Sequence, residues 1–290
     1  MLRIALPNKG RLADETRNLF NDAGLEVRSS GERALTASLG GEFEAIFVRA
    51  QDIPEFVADG AADAGVTGWD LVCESGRPIE DRLDLGFGKC RLVVAAREDT
   101  GVTSIEQLRA AGRMRVATVF PQITARYFAE QQCPVDLVPV SGAAEIAPHL
   151  GIADVVVDLT STGSTLRVNG LREVATVLVS TARLVTARGV RDGDATRARE
   201  LDDLSTALAS VIRARGQRYV MVNVPRHALD RIRDVLPGLN APTVIDLMNG
   251  GTHVAVHAVV PAAQIYRTIA QLTALGGEGI LVTRIERSVP

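Results

Sequence analysis

The stretch of residues 145–166 constrains the fold most strongly, because it joins a buried strand to a helix through a turn of hydroxyl residues. Residues 153–157 end in three consecutive valines, which predicts a buried strand. The turn runs from Asp158 to Thr165 and contains five hydroxyl residues and one glycine. An apolar helix follows, so the order strand, turn, helix is that of an α/β protein.

The chemistry of this turn has two interpretations from the residues alone. Backbone N–H groups and hydroxyls at a helix N-terminus can bind a phosphate, because the helix dipole favours an anion there. Asp158, at the end of the strand, could then bind ribose hydroxyls beside the phosphate. The same residues also suit an ordinary helix start that is capped by Ser or Thr and binds nothing. Both interpretations stay open at this point.

Composition and charge exclude several classes of protein. The 290 residues are 46% apolar, which is enough for two or three domains with their own cores. The net charge is −3 and Lys and Arg are scattered, so no nucleic-acid partner is expected. The first apolar run is too short for a signal peptide, and no segment has the length of a membrane span. The three cysteines form no CxxC pair, which indicates free thiols and a cytoplasmic protein.

The middle of the chain alternates strands and helices, which predicts parallel sheets. We expect a strand over residues 43–48 and a helix over residues 143–150. The glycine-rich segment 85–88 and the strand-like runs 174–180 and 184–187 indicate that the chain crosses to a second lobe and returns. Such a double crossing encloses a hinged cleft.

Two segments suggest an internal repeat. Residues 60–66 and 151–157 each contain a glycine, an acidic residue and a strand core, and a polar turn into a helix follows. Chance similarity between short βα units would give the same pattern. If the repeat is real, the two turns face each other across a cleft where small ligands bind.

The C-terminal part has the pattern of a separate module. Strands are expected at residues 218–224, 243–247, 254–260 and 279–285, and helices at residues 225–236 and 262–275. The order β-α-β-β-α-β is the ferredoxin-like one. The histidines have no metal-site spacing, so no metal ligand is assigned among them.

The opening stretch resembles the signature of the ATP phosphoribosyltransferase family, the first enzyme of histidine biosynthesis. The matching residues are Glu145, Gly151, Asp158, residues 162–165 and Leu166. Further landmarks of the family occur in order along the chain, at residues 7–10, Arg49, residues 65–68, Asp70 and residues 85–88. A match of this length and order is far more specific than a single glycine motif. The C-terminal module is similar to the regulatory domain of the family's long form.

The resemblance implies an α/β fold with a two-lobed, periplasmic-binding-protein-like catalytic part and a C-terminal ferredoxin-like (ACT-like) regulatory domain. Lobe I would comprise residues 1–88 and 181–212, and lobe II residues 89–180 with the loop for phosphoribosyl pyrophosphate. Residues 213–290 would form the regulatory, histidine-binding domain.

The resemblance also implies the reaction and its sites. The enzyme would transfer phosphoribosyl from phosphoribosyl pyrophosphate to N1 of ATP, giving N1-(5-phosphoribosyl)-ATP and pyrophosphate, with Mg²⁺ on the pyrophosphate. The sugar donor would be bound by Asp158, Thr160, Ser161, Thr162, Gly163, Ser164 and Thr165. ATP would be bound by Lys9, Arg49, Asp70 and Leu71. No catalytic base is assigned, because the adenine nitrogen already carries a lone pair. The residues that contact Mg²⁺ are left open.

For the regulatory module, the resemblance implies feedback inhibition by L-histidine bound between subunits of a homohexamer or dimer. The corresponding positions are Asn223, Leu239, Ala241 and Thr243. Two other classes fit a two-lobed cleft. A solute-binding protein is disfavoured by the missing signal peptide and by the fused C-terminal module. A ligand-sensing regulator is disfavoured because no helix-turn-helix and no basic patch is visible.

Overall fold

The computed structural model describes residues 1–29, 31, 34–189, 195–248 and 251–289. The strands in these ranges are β1 (Arg3–Pro7), β2 (Val27–Ser29), β3 (Thr36–Leu39), β4 (Phe43–Val48), β5 (Ala64–Gly68), β6 (Ile79–Asp84), β7 (Cys90–Arg97), β8 (Met114–Thr118), β9 (Val135–Pro139), β10 (Val155–Thr160), β11 (Leu171–Ser180), β12 (Ala182–Ala187), β13 (Gln217–Pro225), β14 (Thr243–Asp246), β15 (His253–Pro261) and β16 (Glu278–Arg284).

The helices are α1 (Ala13–Asp22), α2 (Ile53–Ala58), α3 (Trp69–Ser75), α4 (Ile105–Ala110), α5 (Pro121–Glu130), α6 (Ser164–Val168), α7 (Ala195–Arg215), α8 (Leu229–Val235) and α9 (Ile265–Ala274). Within the described ranges, no helix is both long and apolar enough to cross a bilayer. The chain divides into two compact units, with the boundary between Ser205 and Thr206 and with Asp22–Gly24 assigned to the second unit.

The first unit contains two sheets, each in its own lobe. The lobe I sheet has the order β2-β3-β4-β1-β5-β12-β6, and the lobe II sheet has the order β11-β7-β10-β8-β9. The chain passes from lobe I to lobe II between β6 and β7 and returns between β11 and β12. The two crossing segments are joined by backbone hydrogen bonds. The Leu85 N–H donates to the Ala182 carbonyl at 3.0 Å, and the Ala182 N–H donates to the Phe87 carbonyl at 2.9 Å. The predicted double crossing is therefore confirmed.

The internal repeat is visible as the same hydrogen-bond pattern in both lobes. Asp63 exchanges bonds with Arg3: the Arg3 N–H donates to Asp63 Oδ2 at 2.7 Å, and the Asp63 N–H to the Arg3 carbonyl at 2.8 Å. Asp154 and Arg115 make the same two bonds, also at 2.7 and 2.8 Å. Each aspartate thus fixes the start of one strand against its parallel neighbour, β5 against β1 and β10 against β8.

Two local expectations were wrong. The strand expected at residues 153–157 spans Val155–Thr160, so Asp158 lies inside the strand and not at its end. The helix expected at residues 143–150 is a single 3-10 turn over Ala144–Ile146. Ala143 has a left-handed φ of 48°, and Pro148 has no N–H to donate to a helix, so neither residue suits the interior of an α-helix.

The second unit has the ferredoxin-like arrangement predicted for it. Its antiparallel sheet has the order β14-β15-β13-β16, with α8 and α9 as the two helices of the β-α-β-β-α-β pattern. Val220, Val222 and Val224 of β13 are buried with Ile232 and Leu272 of the two helices. Residues that alternate with these valines lie on the other face of the sheet, where they are only partly buried.

Candidate functional site

The lobe I sheet brings three of the sequence-predicted residues to one edge. In this sheet β4, β1 and β5 are parallel neighbours, so their carboxyl ends point the same way. Lys9 and Arg49 follow β1 and β4 within two residues, and Asp70 follows β5 within two. Lys9 and Arg49 are exposed, whereas Asp70 is only 2% exposed. The carboxyl edge of a parallel sheet is where ligands bind in open α/β folds.

The lobe II sheet repeats this arrangement. In it β8 is parallel to both β9 and β10, so these three strands end at one edge as well. Val119 and Phe120 follow β8, and residues 141–143 follow β9. Ala143 has a left-handed φ of 48°, a conformation that costs an L residue about 1–2 kcal/mol and that often marks functional sites.

A cavity of about 670 Å³ lies where the two edges meet. Lobe I lines it with Gln51, Glu55, Leu71, Glu74 and Ser75, and lobe II lines it with Val119, Phe120, Ser141, Gly142, Ala143, Glu145 and Asp158. Of the predicted residues, Leu71 and Asp158 line this cavity, and they come from opposite lobes. Its volume is typical of a small-molecule site.

Four carboxylate side chains line the cavity. Two of them, Glu55 and Glu74, already have partners within the protein, and the other two, Glu145 and Asp158, differ from them. Glu55 pairs with Arg77 at 3.0 Å, and Glu74 accepts two backbone hydrogen bonds from α5. Glu145 and Asp158 have no ion-pair partner in the described parts of the chain. These two carboxylates are therefore the ones available to a ligand's hydroxyl groups or to a cation.

Asp158 has a different electrostatic environment from the structural Asp154 four residues earlier. Burial raises the pKa of the Asp158 carboxyl; the hydrogen bond from the Leu159 N–H opposes this, and the charge of Glu145 adds to it. That N–H donates to Asp158 Oδ1 at 2.7 Å. The pKa of Asp154 is instead lowered, because the Arg115 guanidinium and N–H both bond to it. Asp154 thus has a structural role. At Asp158, burial in the cavity makes the ionised carboxylate less favourable than it would be in water.

The raised pKa of Asp158 predicts the pH dependence of stability. The folded protein holds a proton at Asp158 more tightly than the unfolded chain does. The contribution of Asp158 to the stability of the fold is therefore fully present at acid pH, and it is lost as the pH rises through the folded-state pKa. We expect Asp158→Asn to raise the melting temperature at about pH 7 by about 1–2 °C, since the amide removes the buried charge. The difference should vanish below the ordinary aspartate pKa of about 3.9. Thermal melts of both proteins across this pH range measure it.

The matched control for this prediction is Asp136→Asn. Its carboxylate pairs with Arg113 on the surface, and the pKa of Asp136 is lowered as a result. The stability that this ion pair contributes is present at neutral pH and is lost as the pH falls. This pH dependence is opposite in direction to that of Asp158. A lower melting temperature for Asp158→Asn than for wild type at neutral pH would contradict the assignment.

The hydroxyl turn is built by its own side chains. The Gly163 N–H donates to Thr160 Oγ1 at 2.8 Å, and the hydroxyls of Thr162 and Ser164 are 2.9 Å apart. Gly163 has a left-handed φ of 75° and is the N-cap of α6, so the first N–H groups of α6 have no partner within the helix. Thr160 and Gly163 are buried, while Ser161, Thr162, Ser164 and Thr165 are exposed. The turn therefore presents hydroxyl and N–H donors to solvent.

A second cavity, of about 470 Å³, borders the same turn. Thr162 and Gly163 line it together with Arg91, Arg167 and Arg172. Arg91 is bound by Glu173 through two hydrogen bonds of 2.7 and 3.0 Å. The predicted sugar-donor residues are thus divided, with Asp158 on the first cavity and Thr162 and Gly163 on the second.

Asp70 lies at the return crossing between the lobes. Its N–H donates to Ser180 Oγ at 3.0 Å, and the Ser180 hydroxyl donates to Asp70 Oδ1. The next residue toward the N-terminus, Trp69, donates its N–H to the Thr181 carbonyl at 3.0 Å. Gly68 is required at this point, because a side chain there would overlap the Asp70 carboxylate. Asp70 therefore orients the start of α3, which carries Leu71 into the cavity.

The predicted effector residues of the second unit are spread over two strands and a connection. Asn223 lies on β13 and Thr243 on β14, and these strands are separated by β15. Leu239 and Ala241 are exposed in the connection between α8 and β14. The four predicted effector positions thus lie on three segments of this unit: β13, β14 and the connection between α8 and β14.

Sequence reasoning missed several residues that line the first cavity. The most informative are Glu74, Ser141 and Gly142, together with Ala143. The signal for the last three was available, because they follow the predicted strand β9 at its carboxyl end. Glu74 gives no such signal, since it reads as an ordinary residue near the end of a short helix.

The fold and this cavity define a class of protein: a two-lobed α/β protein with a cavity of small-molecule size between the carboxyl edges of two sheets, fused to a ferredoxin-like module. A family profile described as ATP phosphoribosyltransferase matches residues 49–210, and one described as HisG, C-terminal domain matches residues 214–287. The chain belongs to the ATP phosphoribosyltransferase family, the enzymes of the first step of histidine biosynthesis. The resemblance and the enzyme class predicted from the sequence are confirmed.

Individual relatives agree with this assignment. The ATP phosphoribosyltransferase of Gemmatimonas aurantiaca is 77% identical over the whole of both chains. That of Halobacterium salinarum is 49% identical over 99% of this chain and 100% of its own. A chain of the solved ATP phosphoribosyl transferase (HisG:HisZ) complex from Thermotoga maritima is 27% identical with a TM-score of 0.62, and the match covers 73% of this chain and 99% of that chain.

Proposed function

We propose that the protein transfers the phosphoribosyl group of phosphoribosyl pyrophosphate to N1 of ATP, releasing pyrophosphate. The observation that carries the proposal is the cavity between the lobes, which brings Asp158 of the sugar-donor turn together with Leu71 of the nucleotide side. Two substrates that react with each other must be held close together, and one residue of each predicted half-site lines this cavity.

The sugar donor is assigned to lobe II. Asp158 and Glu145 accept hydrogen bonds from the ribose hydroxyls, since neither carboxylate has a cation partner in the described chain. The 5-phosphate is held by the turn formed by Thr160, Ser161, Thr162, Gly163, Ser164 and Thr165. In support, four of these residues are exposed and the turn's side chains already fix its shape.

The nucleotide is assigned to lobe I. Lys9 and Arg49 are exposed at the carboxyl edge of the sheet and supply positive charge for the triphosphate. Leu71 packs against the adenine ring from the cavity wall. Asp70 holds the start of α3 and thereby sets the position of Leu71.

The chemistry needs little more than positioning and electrostatics. Adenine N1 forms a bond to C1 of the ribose with its own lone pair, while the bond from C1 to the pyrophosphate oxygen breaks and the pyrophosphate leaves with the electron pair. Positive charge builds up on the sugar as this bond lengthens, and the carboxylates of Asp158 and Glu145 stabilise it. No strong base is required to generate the nucleophile, because adenine N1 already carries a lone pair.

Mg²⁺ is proposed as the cation bound to the pyrophosphate of the sugar donor. The described residues contain no cluster of three or more His, Cys, Asp or Glu that could hold a metal by themselves. Mg²⁺ is commonly held by one or two carboxylates together with substrate phosphates, and Glu145 and Asp158 fit that role. The ion would neutralise the charge of the leaving group.

The second unit is proposed to make the enzyme sensitive to L-histidine, with the effector site completed by a second subunit of a homohexamer or dimer. The separation of Asn223 from Thr243 by β15 fits a site that a neighbouring subunit completes. In the same scheme, residues 1–88 and 181–212 form lobe I, residues 89–180 form lobe II and residues 213–290 form the regulatory domain of a cytoplasmic enzyme.

We expect L-histidine to inhibit the enzyme and Asn223→Ala to raise the half-inhibiting concentration by about tenfold, the equivalent of one lost polar contact. Steady-state rates across a histidine titration measure this. Thr273→Ala serves as the control, because its hydroxyl bonds only to the Ile269 carbonyl on the surface of α9. Rates that do not respond to histidine would remove the regulatory part of the proposal and leave the transfer reaction standing.

The transfer reaction is tested by mixing the protein with ATP, phosphoribosyl pyrophosphate and Mg²⁺ and following the absorbance of the modified adenine. We expect a signal that requires both substrates and the metal, and that disappears when any one is omitted. A protein that binds both substrates and gives no adenine product would contradict the proposal and favour a binding function.

A further inference from the structure

Helix α5 begins without a cap of its own. Its N-cap residue, Phe120, has no oxygen in its side chain, and Pro121 at the first helical position has no N–H. The first N–H groups of the helix therefore belong to Gln122 and Ile123, and they need acceptors from elsewhere in the molecule. Phe120, which precedes these groups in the chain, lines the large cavity between the lobes.

The acceptors come from the opposite lobe. Glu74 lies on α3 of lobe I, and both oxygens of its carboxylate are used: Oε1 accepts from the Gln122 N–H at 2.9 Å, and Oε2 accepts from the Ile123 N–H at 3.0 Å. A carboxylate at a helix N-terminus is favoured by the helix dipole as well as by the two bonds. Glu74 thus caps a helix that belongs to the other side of the cleft.

The lobes also approach closely at Gly76, two residues after Glu74. Gly76 has a left-handed φ of 64°, and a side-chain carbon at this position would lie 3.0 Å from Gln122 Oε1. At its other end α3 is tied to the return crossing, through the bonds of Asp70 to Ser180 and of Trp69 to Thr181. Helix α3 is therefore held at its start by the return crossing and at its end by helix α5 of lobe II.

We propose that Glu74 is a positioning residue, which fixes the distance between the lobes and thereby aligns the nucleotide half-site with the sugar half-site. The two chain crossings alone leave the cleft free to hinge, because both lie on one side of it. The Glu74 contact adds to the packing of Leu71 and Cys73, on the same helix, against the hydrophobic core of lobe II. Leu71 is on the same short helix, three residues away, so the Glu74 contact also helps to fix the position of Leu71 relative to Asp158.

The inference rests on the proposed transfer reaction, so its test combines a kinetic readout with a structural one. Glu74→Ala removes both hydrogen bonds, and we expect a larger radius of gyration by small-angle X-ray scattering without substrates. We also expect kcat/KM for ATP to fall about five- to tenfold, mainly through KM, because the closed arrangement is less populated. Glu74→Gln keeps an oxygen acceptor and loses the charge, and should lie between wild type and Glu74→Ala in both measurements.

Ser104→Ala is the matched control. Ser104 caps α4 in lobe II by accepting a bond from the Gln107 N–H at 3.4 Å, and its loss removes a helix cap without touching the cleft. We expect this variant to lose thermal stability and to keep the wild-type radius of gyration and kinetics. Glu74 variants that match Ser104→Ala in scattering and in KM would overturn the inference.

The outcomes separate the two claims. If Glu74→Ala does not fold, the scattering and kinetics of Glu74→Gln test the role of Glu74, since glutamine has the size of the native side chain. If the wild-type enzyme gives no adenine product, the transfer reaction fails, while scattering by the Glu74 variants still tests the contact between the lobes. An active wild type with unchanged scattering and KM in both variants refutes the role of Glu74 alone.

Discussion

Replacing Asp158 by asparagine is expected to lower kcat/KM for phosphoribosyl pyrophosphate by about 10²–10³-fold, the loss typical of one preorganised electrostatic group. The side chain lies in the cavity between the lobes, and no cation pairs with it in the described residues. Asparagine has the same shape and can still accept the 2.7 Å bond from the Leu159 N–H, so the local backbone should not change. In the proposed mechanism, the substitution removes the negative charge that faces the developing positive charge of the sugar.

The same substitution should stabilise the fold at neutral pH, because burial disfavours the charged carboxyl. The expected combination is therefore a more stable and much less active protein, which a loss of folding cannot imitate. Asp136→Asn is the control, as its carboxylate is paired with Arg113 on the surface away from the cavity, and its kinetics should be those of wild type. Steady-state rates with each substrate varied in turn measure the effect. A wild-type rate for Asp158→Asn would mean that the ribose is bound elsewhere.

Gly163→Ala is expected to lower kcat/KM by about 10–100-fold by displacing the turn that we propose binds the 5-phosphate, since small misplacements of substrate cost about 10²-fold. Gly163 has a φ of 75°, and a side-chain carbon there would lie 2.7 Å from Glu173 Oε1 and 3.2 Å from Arg167 Nη1. Glu173 cannot easily yield, because Arg91 holds it through two hydrogen bonds. The turn must therefore shift away from Glu173.

Gly151→Ala is the control that distinguishes the shift of the turn in Gly163→Ala from the effect of backbone strain alone. Gly151 also has a left-handed φ, of 67°, but no atom lies within 4 Å of the added carbon. Both alanine variants should lose about 1–2 kcal/mol of stability through the left-handed backbone. Only Gly163→Ala should lose activity, measured as KM for phosphoribosyl pyrophosphate and as kcat. Equal activity in the two variants would show that the turn does not hold the sugar phosphate.

The parts of the fold that were predicted correctly are those with local signals. The strand Phe43–Val48 and the β-α-β-β-α-β order of the second unit follow from apolar periodicity and turn residues. The repeat of Asp63 and Asp154 was visible as a weak sequence pattern, and the structure supplies its reason. Each aspartate bonds to the backbone of a neighbouring strand that is far away along the chain.

The parts that could not be predicted depend on distant partners. The sequence gives weak signals for strands β2, β3 and β6, because they are short or carry charged residues. These segments are strands because they pair with neighbouring strands of the sheet. Glu74 has partners 48 and 49 residues away, so its role as a cap across the cleft has no local signal. The pKa difference between Asp154 and Asp158 likewise comes from burial and from Arg115, which only the folded chain brings together.

The most direct test of the central claim is the stoichiometry of the two products. Wild-type protein is incubated with ATP, phosphoribosyl pyrophosphate and Mg²⁺, and the N1-phosphoribosyl adduct of ATP is quantified by mass spectrometry beside the pyrophosphate released. Transfer between two substrates held in one cavity predicts equal amounts of adduct and pyrophosphate, both strongly reduced in Asp158→Asn. Pyrophosphate released without the adduct, or an adduct that forms equally well in Asp158→Asn, would contradict the account.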